Sequence, residues 1–266
     1  MLLLFPVDAN SAVGEKARNM DIYNLISKFM SCFSEDIETM GGSIEQAEAS
    51  LYRYRGQTHY LDTAIAISLY LIENGRDQER AYACLTDAMF HKAYCGGMDY
   101  KKIPLIKSYH FVCEGLSRFP DSPDLAAIKS MFLLNIGSSM EVTSSQDPSS
   151  NWRELFALGV CYALELEHEK AESILLRAFF YAPELKKPFI INHIGVVLDC
   201  LGQGERSAQY YKHAIALDPD FAWPFYNLGL HAEDVGDVSL AKEYSQEALS
   251  RMDFEYANDL YDRTNE

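Results

Sequence analysis

Basic residues are scarce in this sequence: 23 lysines and arginines stand against 39 aspartates and glutamates, which leaves a formal charge of −16. A surface of that sign repels phosphate backbones, so we expect no nucleic-acid binding. Long apolar runs are also missing, and we expect no membrane insertion. The apolar opening MLLLFPV lacks the basic flank of a secretory signal and meets Asp8 at once. We interpret it as an arm packing on the fold of a cytoplasmic protein, with a signal remnant as the alternative.

Cysteine pairs at short spacing are absent as well. The six cysteines are scattered without a CxxC motif, and a chain of this length folds without disulfides, so we interpret them as reduced thiols. Cys84, His91 and Cys95 fall within twelve residues, but they supply three ligands at a spacing unlike that of a zinc finger, with no evident fourth. The sequence predicts buried thiols and a surface histidine there, and no metal site.

Recognisable catalytic motifs are missing too. The sequence contains no HExxH, GxSxG, Walker glycine-lysine or GxGxxG motif. Gly202 and Gly204 lie in a turn between predicted helices, where they cannot form the strand-to-helix loop that cradles phosphate. The sequence therefore favours a protein that is not an enzyme and uses no cofactor.

An internal repeat is what the sequence does contain. Gly159, Gly195 and Gly229 each end a short ALG, HIG or NLG motif, at spacings of 36 and 34 residues. An alanine follows each glycine after 19 residues: Ala178, Ala214 and Ala248. Small residues at such intervals let two antiparallel helices cross closely, so each copy predicts a helical hairpin.

The repeat resembles the tetratricopeptide repeat (TPR), a helix–turn–helix of about 34 residues with small residues at fixed places and a terminal proline. Pro183 and Pro219 follow the first two alanines, and Gly202 and Gly236 stand at the turns where the first copy has Leu166. The resemblance covers 152–252. It implies an all-α, right-handed superhelical solenoid of antiparallel hairpins, and the apolar stripe of 254–263 predicts a C-terminal capping helix.

The rest of the chain predicts three regions. Residues 1–137 form a divergent helical part, with helices at 17–34 and 43–55, a degenerate TPR-like hairpin at 64–92 and two helices within 101–137. Residues 138–150 are rich in serine and predict a loop. Residues 151–266 contain the three repeats and the capping helix. Between the second and third repeats, Pro219 should end one helix and Asp220 should cap the next.

The resemblance also implies a ligand-binding groove, because TPR arrays bind ligands along the first helix of each unit. The third repeat supplies the largest share of the groove positions and the first repeat the smallest. The predicted groove consists of Arg153, Phe156, Val160, Asn192, His193, Val196, Asp199, Trp223, Tyr226, Asn227, Leu230, Glu233 and Asp234.

The chemistry of these side chains suggests the ligand. Asn192 and Asn227 can hydrogen-bond a peptide backbone through their amides. The apolar members would anchor side chains, and Asp199, Glu233 and Asp234 would favour a cationic end. We expect that replacing Asn192, Tyr226 and Asn227 by alanine abolishes binding and leaves the melting behaviour nearly unchanged.

One branch of the family is not matched. TPR clamps that hold the acidic C-terminus of cytosolic chaperones carry Lys and Arg, alternating with Asn, at these inner positions. Here Phe156 and Val160 stand at the first clamp positions, and Trp223 and Asn227 stand at the last. The groove therefore lacks the cations that such docking needs.

The predicted function is that of a protein–protein interaction module that holds an apolar or basic peptide, or a helical segment, of another protein. Two alternatives stay open. One is a secretion or assembly chaperone that shields an apolar client segment. The other is a catalytic or regulatory activity in the N-terminal region, 1–137. The sequence specifies no oligomeric state.

Overall fold

The computed structural model describes residues 42–94, 102–135 and 150–265. These residues fall into two compact units: one comprises 42–94 and 102–135, and the other comprises 150–265. Within the described ranges every regular element is helical. The predicted helix at 17–34, the N-terminal arm and almost all of the serine-rich loop lie outside the described residues.

The first unit contains five described helices. A capping box between Ser43 and Gln46 opens the first of them. Apolar residues from successive helices, among them Leu51, Leu61 and Leu85, form its buried core. The helices are α1 (Ile44–Arg53), α2 (Thr58–Glu73), α3 (Gln78–Tyr94), α4 (Lys102–Arg118) and α5 (Pro123–Asn135).

The second unit contains three hairpins and a further helix, each packed on the next along the chain. This arrangement confirms the predicted all-α, TPR-like solenoid with a capping helix. The hairpins are α6 (Trp152–Leu164) with α7 (His168–Tyr181), α8 (Lys187–Cys200) with α9 (Gly204–Leu217), and α10 (Ala222–Asp234) with α11 (Val238–Arg251), and the capping helix is α12 (Glu255–Arg263).

Small residues mark the places where the two helices of a hairpin cross. A Cβ added at Gly159 would lie 2.7 Å from Leu175, and one added at Gly195 would lie 2.5 Å from the ring of Tyr211. Both distances are shorter than carbon atoms can approach, so the glycines set how closely the helices pack. Gly115 on α4 is crowded in the same way by side chains of α3 and α5.

Each hairpin turn of the second unit contains a residue with a positive φ angle. Gly202 and Gly236 have φ angles of 70° and 82°, and the N–H of the following residue donates to a carbonyl five positions back, at 2.9 and 2.8 Å. This is the Schellman arrangement, which favours glycine. Gly75, between α2 and α3, has the same conformation with φ 68°. Leu166 adopts it with φ 62°, where a side chain is unfavourable.

Replacing Leu166 with glycine should therefore raise the free energy of unfolding by about 1 kcal/mol. The Leu166 side chain is 77% exposed, so little packing is lost. Urea denaturation measures the change. The reverse substitution, Gly202→Leu, is the matched control and should lower stability by a similar amount. A less stable Leu166→Gly protein would contradict the assignment of strain to this turn.

One connection between hairpins differs from the prediction, and another contains a short additional helix. Asp220 does not cap α10, because the N-cap position is Phe221, which makes no side-chain cap, and the Asp220 N–H instead donates to the Asp218 carboxylate at 3.1 Å. Between α7 and α8 the chain forms a short 3₁₀ helix, Glu184–Lys186. That extra turn accommodates the longer spacing between the first two repeats.

Candidate functional site

The predicted groove residues all lie on the first helices of the three hairpins. They recur at intervals of three, four and seven residues, so those of each helix share one face. α6 carries Arg153, Phe156 and Val160; α8 carries Asn192, His193, Val196 and Asp199; α10 carries Trp223, Tyr226, Asn227, Leu230, Glu233 and Asp234.

The groove residues of the first repeat are buried. Val160 is 3% exposed, and Phe156 packs its ring 5.2 Å from that of Phe189 on the next first helix. Arg153 is also buried, with its guanidinium carbon 4.7 Å from the centre of the Trp152 ring. These three side chains are thus engaged in packing, which leaves the accessible part of the predicted groove on α8 and α10.

His193 is enclosed by aromatic rings. The centroids of Phe156 and Phe189 lie 4.9 and 4.4 Å from its imidazole, and its Nδ1 lies 2.9 Å from the carbonyl oxygen of Phe189. Burial lowers the pKa of His193 to about 4, against the opposing effect of that backbone hydrogen bond. His193 is therefore neutral at physiological pH and contributes to packing.

Asn192 and Asn227 are hydrogen-bonded to each other. The Nδ2 of Asn227 donates to the Oδ1 of Asn192 at 2.9 Å, and each residue is only 5% exposed. The remaining polar atom of each amide, Asn192 Nδ2 and Asn227 Oδ1, has no hydrogen-bond partner among the described residues. The pair thus joins two repeats and still presents one donor and one acceptor.

Two of the three predicted groove carboxylates are engaged within the chain. Asp199 accepts a hydrogen bond from the hydroxyl of Tyr211, on the same hairpin. Glu233 forms a two-point pair with Arg263 of α12, at 3.0 and 2.9 Å. The expectation that these groups favour a cationic ligand end is therefore revised, and Asp234 is the exposed carboxylate that remains.

The aromatic side chains of α10 form a cluster with the start of α12. Trp223 and Tyr226 lie with ring centroids 5.9 Å apart at an angle of 85°. Phe254 lies 4.9 Å from Trp223, and Tyr256 lies 6.2 Å from Tyr226. Burial raises the pKa of Tyr226 to about 12, against the opposing effect of the Arg263 charge.

Phe254, Tyr256 and Arg263 are not among the predicted groove residues, because the sequence predicted only a capping role for the C-terminal helix. The aromatic residues that flank its start were the available signal. Their contacts with α10 make the capping helix part of the site.

The accessible part of the site is apolar at its centre. Val196 on α8 and Leu230 on α10 occupy equivalent positions and are half-buried, as are Trp223 and Tyr226. The Asn192–Asn227 pair lies on the same helix faces. The arrangement can hold a chain segment through apolar contacts and hydrogen bonds to its backbone.

The potential metal ligands and the cysteines of the described residues are dispersed. Among these residues, no three His, Cys, Asp or Glu side chains lie close enough together to hold a metal ion. The four cysteines, Cys84, Cys113, Cys161 and Cys200, form no disulfide. Burial raises the pKa of Cys161 to about 11, which keeps it protonated. Cys95 of the weak metal motif lies outside the described residues.

Membrane insertion finds no support among the described helices, none of which is both long and apolar enough to cross a bilayer.

No family model matches the chain, and no curated protein sequence matches it. Among solved structures, the chain is similar to the crystal structure of the APC/C hetero-tetramer Cut9–Hcn1, with a TM-score of 0.48 and 13% sequence identity. The match covers 91% of this chain and 53% of the other, so this chain spans about half the length of the structure that it matches. The TPR-like fold is assigned from the hairpins, their crossings and their turns.

Proposed function

We propose that the 150–265 unit binds a peptide segment of another protein along the accessible faces of α8 and α10. The Asn192–Asn227 pair carries this proposal. Burying two amides is unfavourable unless their hydrogen bonds are made. One bond of each amide is made within the pair, while the other donor and acceptor have no hydrogen-bond partner among the described residues. A peptide backbone supplies the complementary acceptor and donor.

Apolar side chains around the pair would provide the anchors of the bound segment. Val196 lies one turn after Asn192 on α8, and Leu230 lies one turn after Asn227 on α10. Trp223 lies one turn before Asn227 on α10. Burying such side chains contributes roughly 25 cal/mol per Å² of apolar surface removed from water. Because Asp199 and Glu233 are engaged within the chain, we infer that the bound segment is chiefly apolar. The protein then acts by holding a partner, without a catalytic step.

Photo-crosslinking in the 266-residue chain tests this proposal and identifies the partner. The photoreactive residue p-benzoylphenylalanine is placed at Val196 or Leu230. The control positions are Gln209 and Ser239, which are exposed on the second helices α9 and α11. We expect one partner to be crosslinked from both groove positions and from neither control position. Crosslinks of equal yield from the control positions would overturn the assignment.

A further inference from the structure

The chain itself contains a segment with the chemistry that the groove on α8 and α10 is proposed to bind. The N-terminal arm, MLLLFPV at 1–7, consists of apolar residues only. No other part of the sequence outside the described residues has an uncharged apolar run of this length. Keeping such a run in water is unfavourable, so the arm requires a surface that covers it.

The sequence of the arm also favours an extended backbone. Pro6 fixes its own φ angle and biases Phe5 toward extended conformations, so a helix is disfavoured in the middle of the arm. An extended chain cannot pair its N–H and C=O groups within itself, and it needs partners for them when it is buried. Asn192 Nδ2 and Asn227 Oδ1 offer one donor and one acceptor to such a backbone.

The electrostatics of the groove suit an uncharged occupant. The carboxylates of Asp199 and Glu233 are engaged within the chain, and the half-buried side chains of Val196 and Leu230 are apolar. The arm carries no charged side chain before Asp8. It therefore brings apolar contacts to the groove and buries no charged side chain there.

The chain between the arm and the described residues is long enough for the arm to reach the groove. Residues 8–41 connect the arm to Gly42, the first described residue. Even with the predicted helix at 17–34, these residues can span roughly 80 Å. The radius of gyration of a 100-residue domain is only about 13 Å. The length of the connection therefore allows binding within the same chain.

We propose that the N-terminal arm occupies the groove on α8 and α10 when no partner is bound, so that a partner segment has to displace it. This inference rests on the proposed function, because it concerns the same groove. A flexible tether holds a segment at an effective concentration on the order of 1 mM. An arm with an intrinsic Kd of about 0.1 mM would then fill about nine-tenths of the grooves and weaken a competing segment about tenfold.

Intramolecular crosslinking tests where the arm binds. p-Benzoylphenylalanine is placed at Val196, at Leu230 or at the control position Gln209 in the purified 266-residue chain. Trypsin releases the arm within one peptide, 1–16, because Lys16 is the first basic residue. Mass spectrometry should find this peptide crosslinked from both groove positions within a single chain, and not from Gln209. Absence of that crosslink, or a crosslink only between two chains, would overturn the proposal.

Peptide binding tests whether the arm blocks the groove. A fluorescein-labelled peptide with the sequence of residues 1–12 is titrated with the wild type and with Leu3→Asp/Phe5→Asp, the arm variant, and binding is followed by fluorescence anisotropy. The arm variant should bind the peptide about tenfold more tightly, because its own arm no longer competes. Asn10→Asp/Ser11→Asp adds the same charge beyond the arm and should bind like the wild type. Equal affinity of all three proteins would contradict the proposal.

A last comparison separates this inference from the proposed function. In the arm variant, adding Val196→Arg/Leu230→Arg should weaken peptide binding at least about tenfold, and adding Gln209→Arg/Ser239→Arg should leave it unchanged. If the peptide binds none of these proteins while a partner is crosslinked in the groove, the inference about the arm fails and the proposed function stands. If the arm binds the groove and no partner protein does, the inference stands and the proposed function fails.

Discussion

Replacing Gly195 with alanine is expected to lower the free energy of unfolding by about 2 kcal/mol, although alanine forms helices better by roughly 1 kcal/mol. The added Cβ would lie 2.5 Å from Cε1 and 2.8 Å from Cδ1 of Tyr211. That ring cannot easily move aside, because Tyr211 is 1% exposed and its hydroxyl donates to Asp199. Urea denaturation followed by circular dichroism measures the loss.

A double-mutant cycle isolates the cause of that loss. Gly159 faces Leu175, whose side chain is smaller and more flexible than a tyrosine ring, so Gly159→Ala should cost less than Gly195→Ala. If the clash with Tyr211 is responsible, Gly195→Ala should be much less harmful in a Tyr211→Leu background. Equal effects in both backgrounds would contradict the close crossing of α8 and α9.

Acidification should also lower the free energy of unfolding substantially, through His193. The pKa of His193 is lowered to about 4 in the folded chain by burial, whereas the ordinary value in an unfolded chain is about 6.5. The unfolded state therefore binds the proton first as the pH falls. Neutral His193 therefore makes its full contribution to the free energy of unfolding above pH ~6.5. As the pH falls from there toward about 4, the free energy of unfolding should decrease by about 2–3 kcal/mol.

A matched pair of variants tests this contribution. Unfolding free energies are measured between pH 7 and 4 for the wild type, for His193→Gln and for His213→Gln, which replaces an exposed histidine. The His193→Gln protein should lose less stability on acidification than the other two. If all three proteins show the same pH dependence, the enclosure of His193 by Phe156 and Phe189 does not control its protonation.

The repeat could be predicted from the sequence because a short-range physical requirement fixes it. Two helices cross closely only where residues are small, so Gly195 and Ala214 had to recur at the crossings. Positive φ angles favour glycine, so Gly202 and Gly236 marked the turns. Helix faces follow from a period of 3.6 residues, whereas the assignment of the groove to the first helices came from the resemblance to the TPR.

The partners of the groove side chains could not be predicted in the same way. Asn192 and Asn227 were expected to face a ligand, but whether these two amides, 35 residues apart in sequence, meet depends on how their two repeats pack. Asp199 and Glu233 likewise bond to Tyr211 and Arg263, which lie on other helices. Periodicity specifies the face of a helix on which a residue lies. It does not specify how deeply a neighbouring helix buries that residue.

The hydrogen bond between the asparagines also changes the best mutational test of the groove. Replacing Asn192, Tyr226 and Asn227 together removes a buried hydrogen bond and part of an aromatic cluster. Removing one partner of such a bond typically costs about 1–3 kcal/mol, so the expectation of unchanged melting is revised. Loss of binding by that variant would not distinguish a groove contact from lower stability. Substitutions at the half-buried Val196 and Leu230 avoid this ambiguity.

The central claim, that the inner faces of α8 and α10 bind a partner segment, is tested most directly by one affinity comparison. Calorimetry with the crosslinked partner is performed on the wild type, on Val196→Arg/Leu230→Arg and on the control Gln209→Arg/Ser239→Arg, after checking that all three melt alike. We predict that the groove variant binds at least about tenfold more weakly and that the control binds like the wild type. Equal affinity of the groove variant and the wild type would contradict the claim.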